Sequence, residues 1–503
     1  MNPGDLVALA PLIVTGGAAV VVMLATPLAR SHRLIALLAI LGLAAAFGSI
    51  VLVWPMQARR LAPLLVIDHY AMFYMGLVLA AAFVVAMLSF GYMHERAVKR
   101  CEFYILLLAA TLGAEVLAAS VHFASFFLGL ELLSVSLYAL VAYQRTSPLG
   151  LEAGIKYLVL AGVSSAMLLF GMALVYATAG TMEFEVLARQ AGGAARYGPM
   201  MLGGIGLILV GVGFKLSLVP MHLWAPDVYQ GAPAPVTAFI ATVSKGSVAA
   251  LLLRYFVSSG FHASETIVWA LAAVAIASMV VGNLLALLQE NLKRLLAYSS
   301  IAHMGYLLVA LLASGALAAE AVTYYLVAYF VTMLGALGVV AVLSPRGREA
   351  ETLADYRGLA WRRPWTAGVL TAMLLSLAGI PLTAGFVGKF YVLAAGVQSG
   401  LWYLVIVLVA TSVVGLFFYL RVIVALYLRP EGESLAAVGT DATGPSPYRR
   451  RLNAGEGEPS PAARDGAILG GLALAGLLAA LLVLGVYPAP LIRLIEAAVA
   501  VLP

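Results

Sequence analysis

Apolar residues fill almost the whole chain in long blocks, and short polar stretches separate these blocks. A block of about 20 apolar residues is long enough to cross a bilayer as an α-helix. Such blocks predict about fourteen transmembrane helices, near residues 6–28, 34–53, 70–90, 103–119, 122–142, 153–178, 200–219, 235–257, 266–288, 295–313, 319–343, 364–397, 401–428 and 467–487. The pattern therefore predicts an all-α polytopic membrane protein.

Two of these spans contain or directly precede a proline. Pro220 follows the seventh span directly, and Pro381 lies within the twelfth. Because proline removes a helical hydrogen bond, we expect helices 7 and 12 to be discontinuous. Each carries a lysine, Lys215 or Lys389, and each is the fourth of five consecutive spans. Since five is odd, the pattern predicts two five-helix repeats that are inverted with respect to the membrane.

The spans divide the chain into four predicted parts. Residues 1–102 form an N-terminal three-helix segment, 103–258 the first repeat, and 259–429 the second. Residues 430–503 comprise a polar linker, at 430–463, and a C-terminal transmembrane helix.

Composition agrees with this class of protein. The chain has 63% hydrophobic and 10% charged residues, and its mean hydropathy is +1.03, which excludes a string of soluble domains. The net charge of +6 does not indicate a nucleic-acid partner, because the charges lie in short loops and form no basic face. A single cysteine, Cys101, excludes an intramolecular disulfide and a cysteine-held cluster.

Loop charges predict the orientation of the chain. If the N-terminus faces outward, the inward loops hold eighteen Lys or Arg residues and the outward loops hold six. The positive-inside rule then places both termini outside, which is the periplasm for a bacterial inner membrane.

Lysines are concentrated within the spans. Four of the six lysines lie there, whereas nearly all of the 23 arginines lie in loops; the basic residues within spans are Lys156, Lys215, Lys245, Lys389 and Arg421. In a helix that starts at Pro235, Lys245 is roughly 15 Å deep, which is half of an about 30 Å hydrocarbon core. A lysine at that depth costs about 2.5 to 3.5 kcal/mol and usually marks an ion path. Arginine keeps its proton in proteins and a desolvated lysine is able to lose it, so the pattern favours proton transfer.

Glu131 and Glu115 both lie within predicted spans. Glu131 is near mid-depth and is a candidate acidic partner for Lys215, although the sequence does not show that the two meet. Glu115 lies close to the outer end of its helix, and we expect it to reach the membrane interface.

Other polar residues have a structural and a functional interpretation. Lys156 and Arg421 lie near inner helix ends, where long side chains extend to the interface. His303 is either a hydrogen-bonded core residue or part of a proton wire. The stretch HLWAPDVYQGAPAP is more often a rigid connector than an inner access route lined by His222 and Asp227.

Three long motifs identify a family. The stretches GFKLSLVPMHLWAPDVYQGAPAPV, NLKRLLAYSSIAHMGY and SLAGIPLTAGFVGKFYVLAAGV closely resemble the antiporter-like membrane subunits of respiratory complex I, the proton-pumping NADH:quinone oxidoreductase. The resemblance covers essentially the whole chain. Among the three such subunits, the chain is most similar to the N subunit, because it has no long C-terminal lateral helix and has Lys389 where the M subunit is expected to have glutamate.

The resemblance implies a function and a set of site residues. It implies a proton relay with Glu131 and Lys215 as a coupled pair, Lys245 as the central member and Lys389 as the outer half-channel residue. It also implies neighbouring membrane subunits as partners, and NADH, FMN, iron–sulfur clusters and quinone in other subunits. No cofactor, metal or redox reaction is expected in this chain.

Two other functions are compatible with a membrane chain of this kind. A subunit of a sodium/proton antiporter is the alternative, but the spans lack a clear carboxylate cluster for sodium. A haem or quinone redox protein would need ligands such as paired histidines, and His303 has no obvious mid-membrane partner.

Overall fold

The computed structural model describes residues 3–29, 31–96, 100–191, 198–259, 264–313, 315–344, 348–429 and 461–502. Residues 430–460 of the predicted linker lie outside the described residues. The elements of the first part are α1 (Pro3–Ala8), α2 (Ala10–Ala29), α3 (His32–Val53), β1 (Arg59–Leu61), β2 (Leu65–Ile67), α4 (His69–Arg96), α5 (Glu102–Ala119), α6 (Phe123–Val141), α7 (Pro148–Ala179), α8 (Phe184–Ala191), α9 (Pro199–Leu216), α10 (Trp224–Gly231), α11 (Ala234–Phe239) and α12 (Lys245–Ser259). The elements of the second part are α13 (Glu265–Leu287), α14 (Leu292–Leu312), α15 (Ala316–Leu343), α16 (Leu353–Tyr356), α17 (Leu359–Arg362), α18 (Pro364–Ala378), α19 (Ala384–Gln398), α20 (Trp402–Tyr427), α21 (Pro461–Val486) and α22 (Ala489–Val499).

The all-α polytopic fold is confirmed. Within the described ranges, thirteen helices are long and apolar enough to cross a membrane. The predicted twelfth span is instead two helices, α18 and α19, of 15 residues each. Each half is about 22 Å long and too short to cross alone, so the twelfth helix is discontinuous as predicted. The only sheet in the described residues is a hairpin of two three-residue antiparallel strands, β1 and β2.

The seventh helix is also discontinuous. Helix α9 ends at Leu216, a turn follows, and the short helix α10 begins at Trp224. The eighth helix has an irregularity that the sequence did not predict: the five residues Ile240–Ser244 between α11 and α12 are π-helical. Such π-helical segments are rare and often lie at functional sites, and this one ends beside Lys245.

Burial distinguishes the centre of the protein from its exposed edge. The most apolar windows of Ala234–Ser258, Leu292–Leu312 and Ala316–Leu343 are 100%, 94% and 89% buried, whereas that of Ala10–Ala29 is only 17% buried. An exposed apolar helix of this kind suits contact with lipid tails or with other membrane helices, because both are apolar. The core of the protein is therefore built around the eighth helix, which contains the π-helical segment, and around α14 and α15.

Candidate functional site

Lys215 lies in the last turn of α9, directly before the break in helix 7. The helix ends there because Ser217 takes a left-handed conformation, with φ of 59°. The Lys215 side chain is buried, and its Nζ donates a hydrogen bond of 2.7 Å to the Ser134 hydroxyl of α6. Nζ also lies 5.2 Å from the centre of the Tyr157 ring and 6.0 Å from that of Tyr138. A cation at the C-terminal end of a helix is further stabilised by the helix dipole.

Glu131 lies one helical turn before Ser134 on α6, but it does not bind Lys215 directly. Its carboxylate accepts a hydrogen bond of 2.6 Å from Ser165, and no ion pair in the described part of the chain joins it to Lys215. Its carboxylate is nevertheless on the same helix as Ser134, one turn from the hydroxyl that binds Lys215. The structure therefore places the predicted pair in one neighbourhood and puts the Ser134 hydroxyl against the lysine.

Lys245 is the most enclosed of the relay candidates, with a side chain that is fully buried. Its Nζ donates a hydrogen bond of 2.6 Å to the Ser300 hydroxyl of α14. Ser300 also lies 2.6 Å from the Tyr329 hydroxyl and accepts a hydrogen bond of 3.3 Å from Tyr229. The Tyr229 ring centre is 5.5 Å from the lysine Nζ. One hydroxyl thus joins the central lysine to two tyrosines.

His303 extends this polar network on α14. Its Nδ1 is 2.6 Å from the Tyr325 hydroxyl and its Nε2 is 3.1 Å from the Tyr419 hydroxyl. Tyr419 in turn is hydrogen-bonded to Ser299. The sequence left His303 open as a core residue or part of a proton wire, and the geometry gives it hydrogen bonds on both ring nitrogens.

A small cavity lies between the central cluster and the second broken helix. His303, Tyr325 and Tyr329 line one side, and Ser376 and Gly385 of the broken helix line the other. The space open to the centre of a water molecule is about 10 Å³. This is close to the smallest volume that holds a water, and the polar lining supplies hydrogen-bond partners for it.

Lys389 lies on α19, just after the break in helix 12. Its Nζ donates to the Ala378 carbonyl, the last residue of α18, at 2.9 Å, and to the Ser412 hydroxyl of α20 at 2.8 Å. The break begins at Gly379, whose φ is 85°. A Cβ on this glycine would lie 2.8 Å from Lys389 Cδ, so the lysine stem occupies the space that glycine leaves. The broken helix thus supplies both a free carbonyl and room for the lysine.

Lys156 and Asp227 meet at a partly exposed position. Lys156 Nζ lies 2.8 Å from Asp227 and 2.7 Å from Glu152, and Arg294 lies 2.8 Å from the other Asp227 oxygen. Helix α10, which carries Asp227, lies outside the thirteen spans. Partial burial raises the pKa of Asp227, but the hydrogen bonds from Lys156 and Arg294 outweigh it and hold the pKa below its usual value. Asp227 is therefore a charged link between α10, α7 and α14.

The remaining candidates lie at helix ends. Arg421 donates to the carbonyls of Leu287, at 2.8 Å, and Gln289. It caps the C-terminus of α13, in agreement with its expected anchoring role. His222 lies in the turn after α9 and is buried, and its Nδ1 has no hydrogen-bond partner among the described residues.

The expectation for Glu115 is wrong. Its side chain is fully buried between α5 and α2, and it accepts a hydrogen bond of 3.2 Å from Thr15. It does not reach the interface because α2 packs over this face of α5, a contact between distant segments that the hydropathy of α5 alone does not reveal.

Two buried cations were not identified from the sequence. Arg254 falls within the bounds of the predicted eighth span, and its grouping with the loop arginines is wrong. It forms an ion pair with Asp68 at 2.8 Å, and both side chains are 6% exposed. Lys293, which the span pattern puts in a loop, is fully buried in the first turn of α14. The burial of Arg254 is indicated by its position inside an apolar block of the sequence. No sequence signal indicates the burial of Lys293, because that burial depends on the loop that covers it.

Comparison with known proteins defines the class to which this fold and site belong. Residues 120–415, more than half of the chain, match the family model described as NADH:quinone oxidoreductase/Mrp antiporter, TM. A chain of respiratory complex I from Thermus thermophilus, solved with bound aureothin, is 32% identical, with 97% of this chain and 99% of that chain covered and a TM-score of 0.76. The protein described here belongs to this family of antiporter-like membrane subunits.

Two other solved structures share the fold at lower identity. A chain of the Mrp complex from Dietzia sp. DQ12-45-1b is 23% identical, covers 100% of this chain and 98% of its own length, and has a TM-score of 0.84. A chain of the membrane-bound sulfane sulfur reductase, an archaeal respiratory membrane complex, is 24% identical, covers 99% and 97%, and has a TM-score of 0.80. One fold is therefore found in several multi-subunit membrane complexes.

Proposed function

We propose that this chain is a proton-translocating membrane subunit of an NADH:quinone oxidoreductase. The observation that carries the proposal is the recurrence of one arrangement: Lys215, Lys245 and Lys389 are each buried at a helix irregularity, and each donates to a serine hydroxyl. A buried lysine next to a hydroxyl is able to give up and regain a proton without moving its helix. Buried charges with a structural role are usually paired with an opposite charge, and none of these three hydrogen bonds goes to a carboxylate.

The polar groups between the lysines provide a route for protons. Ser300 and Tyr329 adjoin Lys245, and a water in the small cavity would reach both Tyr329 and His303. Hydroxyl and imidazole groups both accept and donate protons, so they are able to relay one towards Lys389. On the other side, movement of the Glu131 charge relative to Lys215 would load or release the first lysine.

The chain itself carries out no redox step in this proposal. NADH, FMN, iron–sulfur clusters and quinone would be bound by other subunits, and quinone reduction there would drive the charge movements here. The similarity to a chain of Thermus thermophilus complex I at 32% identity supports this assignment. Lys389 in the twelfth helix supports the N subunit among the antiporter-like subunits, with neighbouring membrane subunits as partners and a bacterial inner membrane as location.

Substitution of the three lysines by arginine tests the proposal. In assembled complexes, Lys215→Arg, Lys245→Arg and Lys389→Arg should each lose about tenfold or more of NADH-driven proton pumping, because arginine keeps its proton. Arg421→Lys is the matched control. Arg421 caps the end of α13, so complexes with this change should pump protons at the normal rate. Near-normal pumping by all three arginine variants would show that the lysines act as fixed charges.

The same preparation distinguishes the alternative, a sodium/proton antiporter subunit. Isolation with NADH-oxidising and iron–sulfur subunits supports the proposal. Recovery as a unit that exchanges sodium for protons in liposomes, without NADH, would replace it.

A further inference from the structure

A second buried ion pair, outside the proposed relay, joins Lys293 to Glu349. Lys293 is in the first turn of α14, and Glu349 precedes α16 in the chain. Their side chains are 0% and 9% exposed. A buried ion pair of this kind stabilises a protein only when its remaining hydrogen-bonding groups are satisfied, so its other partners decide what it does.

All three donors of Lys293 are used. Besides Glu349, its ammonium group donates to the carbonyls of Gln230, at 2.9 Å, and Ala232, at 2.7 Å. These carbonyls lie at the C-terminal end of α10, where helix carbonyls lack intrahelical partners. A positive charge at a helix C-terminus also complements the helix dipole. Lys293 therefore caps the end of α10.

Glu349 caps the next helix in the same way. Its Oε1 accepts a hydrogen bond of 2.8 Å from the backbone N–H of Ala234, the first residue of α11. The same oxygen also accepts a hydrogen bond from the Tyr92 hydroxyl. The unpaired N–H groups at a helix N-terminus favour a negative charge. One ion pair thus caps both helices that meet at the residues 231–233, which we call the hinge.

The hinge connects two members of the polar network around Lys245. Helix α10 carries Tyr229, and the helix that begins at Ala234 carries Lys245. Both side chains meet at the Ser300 hydroxyl. The angle at the hinge therefore decides whether these three groups stay in contact.

We propose that Lys293 and Glu349 are positioning residues that clamp the hinge, so that Tyr229 and Lys245 both reach Ser300. The clamp itself is independent of proton transfer; its consequence for pumping rests on the proposed function. The two levels are therefore tested by different measurements.

Hydrogen exchange at the hinge tests the clamp. In the purified full chain within its complex, Lys293→Met should speed amide exchange at residues 231–237 by about tenfold, the scale of a lost charge-assisted hydrogen bond. Arg254→Met is the matched control. It breaks the buried ion pair between Arg254 and Asp68, which lies at the other end of the helix that begins at Ala234. It should reduce thermal stability and leave exchange at 231–237 unchanged. An equal rise in both variants, or no rise in Lys293→Met, would overturn the clamp.

A neutral double variant covers the case in which Lys293→Met does not accumulate. Lys293→Met with Glu349→Gln leaves no unpaired buried charge, so the chain should assemble. Its hinge should still exchange about tenfold faster, since the Gln230 and Ala232 carbonyls have lost their donor. Wild-type exchange in the assembled double variant would refute the clamp.

Proton pumping then tests the consequence. At equal assembly, the double variant should pump about fivefold more slowly than wild type, whereas Arg254→Met should pump normally. Fast exchange with undiminished pumping would overturn the positioning role. If the wild-type complex itself pumps no protons, the proposed function fails, and the exchange result still decides the clamp.

Discussion

The two broken helices hold their lysines on opposite sides of the break. In helix 7, Lys215 precedes the break and points to a side-chain hydroxyl on another helix, with Glu131 nearby. In helix 12, Lys389 follows the break and binds the free Ala378 carbonyl of its own broken helix as well as Ser412. No carboxylate in the described residues is hydrogen-bonded or ion-paired to Lys389. One lysine therefore has partners that are able to move, and the other is held by backbone.

This difference gives each lysine a distinct role in the proposed relay. A lysine whose contacts are side chains is suited to respond to a charge that approaches or leaves. A lysine fixed to a helix terminus is suited to a constant position at the end of a route. The sequence pattern, which shows a lysine and a proline in both helices, presents the two as equivalents.

The largest effect is expected at Gly379. In Gly379→Ala, the new Cβ would lie 2.8 Å from Lys389 Cδ, and a non-glycine residue at φ of 85° is strained by about 1 to 2 kcal/mol. Proton pumping per assembled complex should fall about tenfold or more. The reverse change at the break of helix 7, Ser217→Gly, should leave pumping unchanged, since glycine adopts the φ of 59° at this position without strain. Normal pumping in Gly379→Ala would mean that the second break does not fix its lysine.

The next effect concerns the carboxylate that only the first lysine has nearby. Glu131→Gln keeps an acceptor for the Ser165 hydroxyl but removes the charge, so assembly should persist while pumping falls about fivefold. Glu131→Asp should be milder. Glu115→Gln, a change in a buried carboxyl group on the neighbouring helix α5, serves as the control and should leave pumping normal. If assembled Glu131→Gln pumps at the wild-type rate, Glu131 has no part in the mechanism.

Much of the fold was predictable because its signals are local. Hydropathy gave the spans, and Pro220 and Pro381 gave both discontinuous helices. The burial of Lys215 and Lys389 also followed from their positions within apolar blocks.

What the sequence did not reveal depends on packing between distant segments. Glu115 is buried because α2 covers it, and Lys293 is buried because Glu349, far along the chain, reaches it. The π-helical segment before Lys245 contains no proline or glycine from which it could be predicted. The inverted repeats and the outward orientation of the termini remain predictions.

A smaller effect distinguishes the hydroxyl partners of the two lysines. Ser134→Ala removes the only hydrogen-bond acceptor of Lys215 among the described residues, whereas Ser412→Ala leaves Lys389 the Ala378 carbonyl. Pumping should fall about threefold in Ser134→Ala and less than about twofold in Ser412→Ala. The measurement is the initial rate of NADH-driven proton uptake by vesicles, normalised to assembled complex. The reverse ranking would contradict the inference that the Ala378 carbonyl holds Lys389 in place when the Ser412 hydroxyl is removed.

The smallest effect is expected at Asp227, which belongs to the first break alone. Its pKa is held below the usual value of about 3.9, so its ion pairs are complete at neutral pH and lost as the pH falls through the lowered pKa. Asp227→Asn should therefore lower the thermal midpoint by no more than about 2 °C between pH 5 and 7, because the ion pairs of Asp227 with Lys156 and Arg294 are partly exposed. The difference from wild type should begin to shrink as the pH falls below about 3.9, the usual pKa of an aspartate, and should close only below the lowered native pKa. Proton pumping should stay normal if α10 is a rigid connector. A slowed proton uptake by Asp227→Asn at unchanged stability would instead assign an inner access route to Asp227, and the first break would then differ from the second in its entry path as well as in the partners of its lysine.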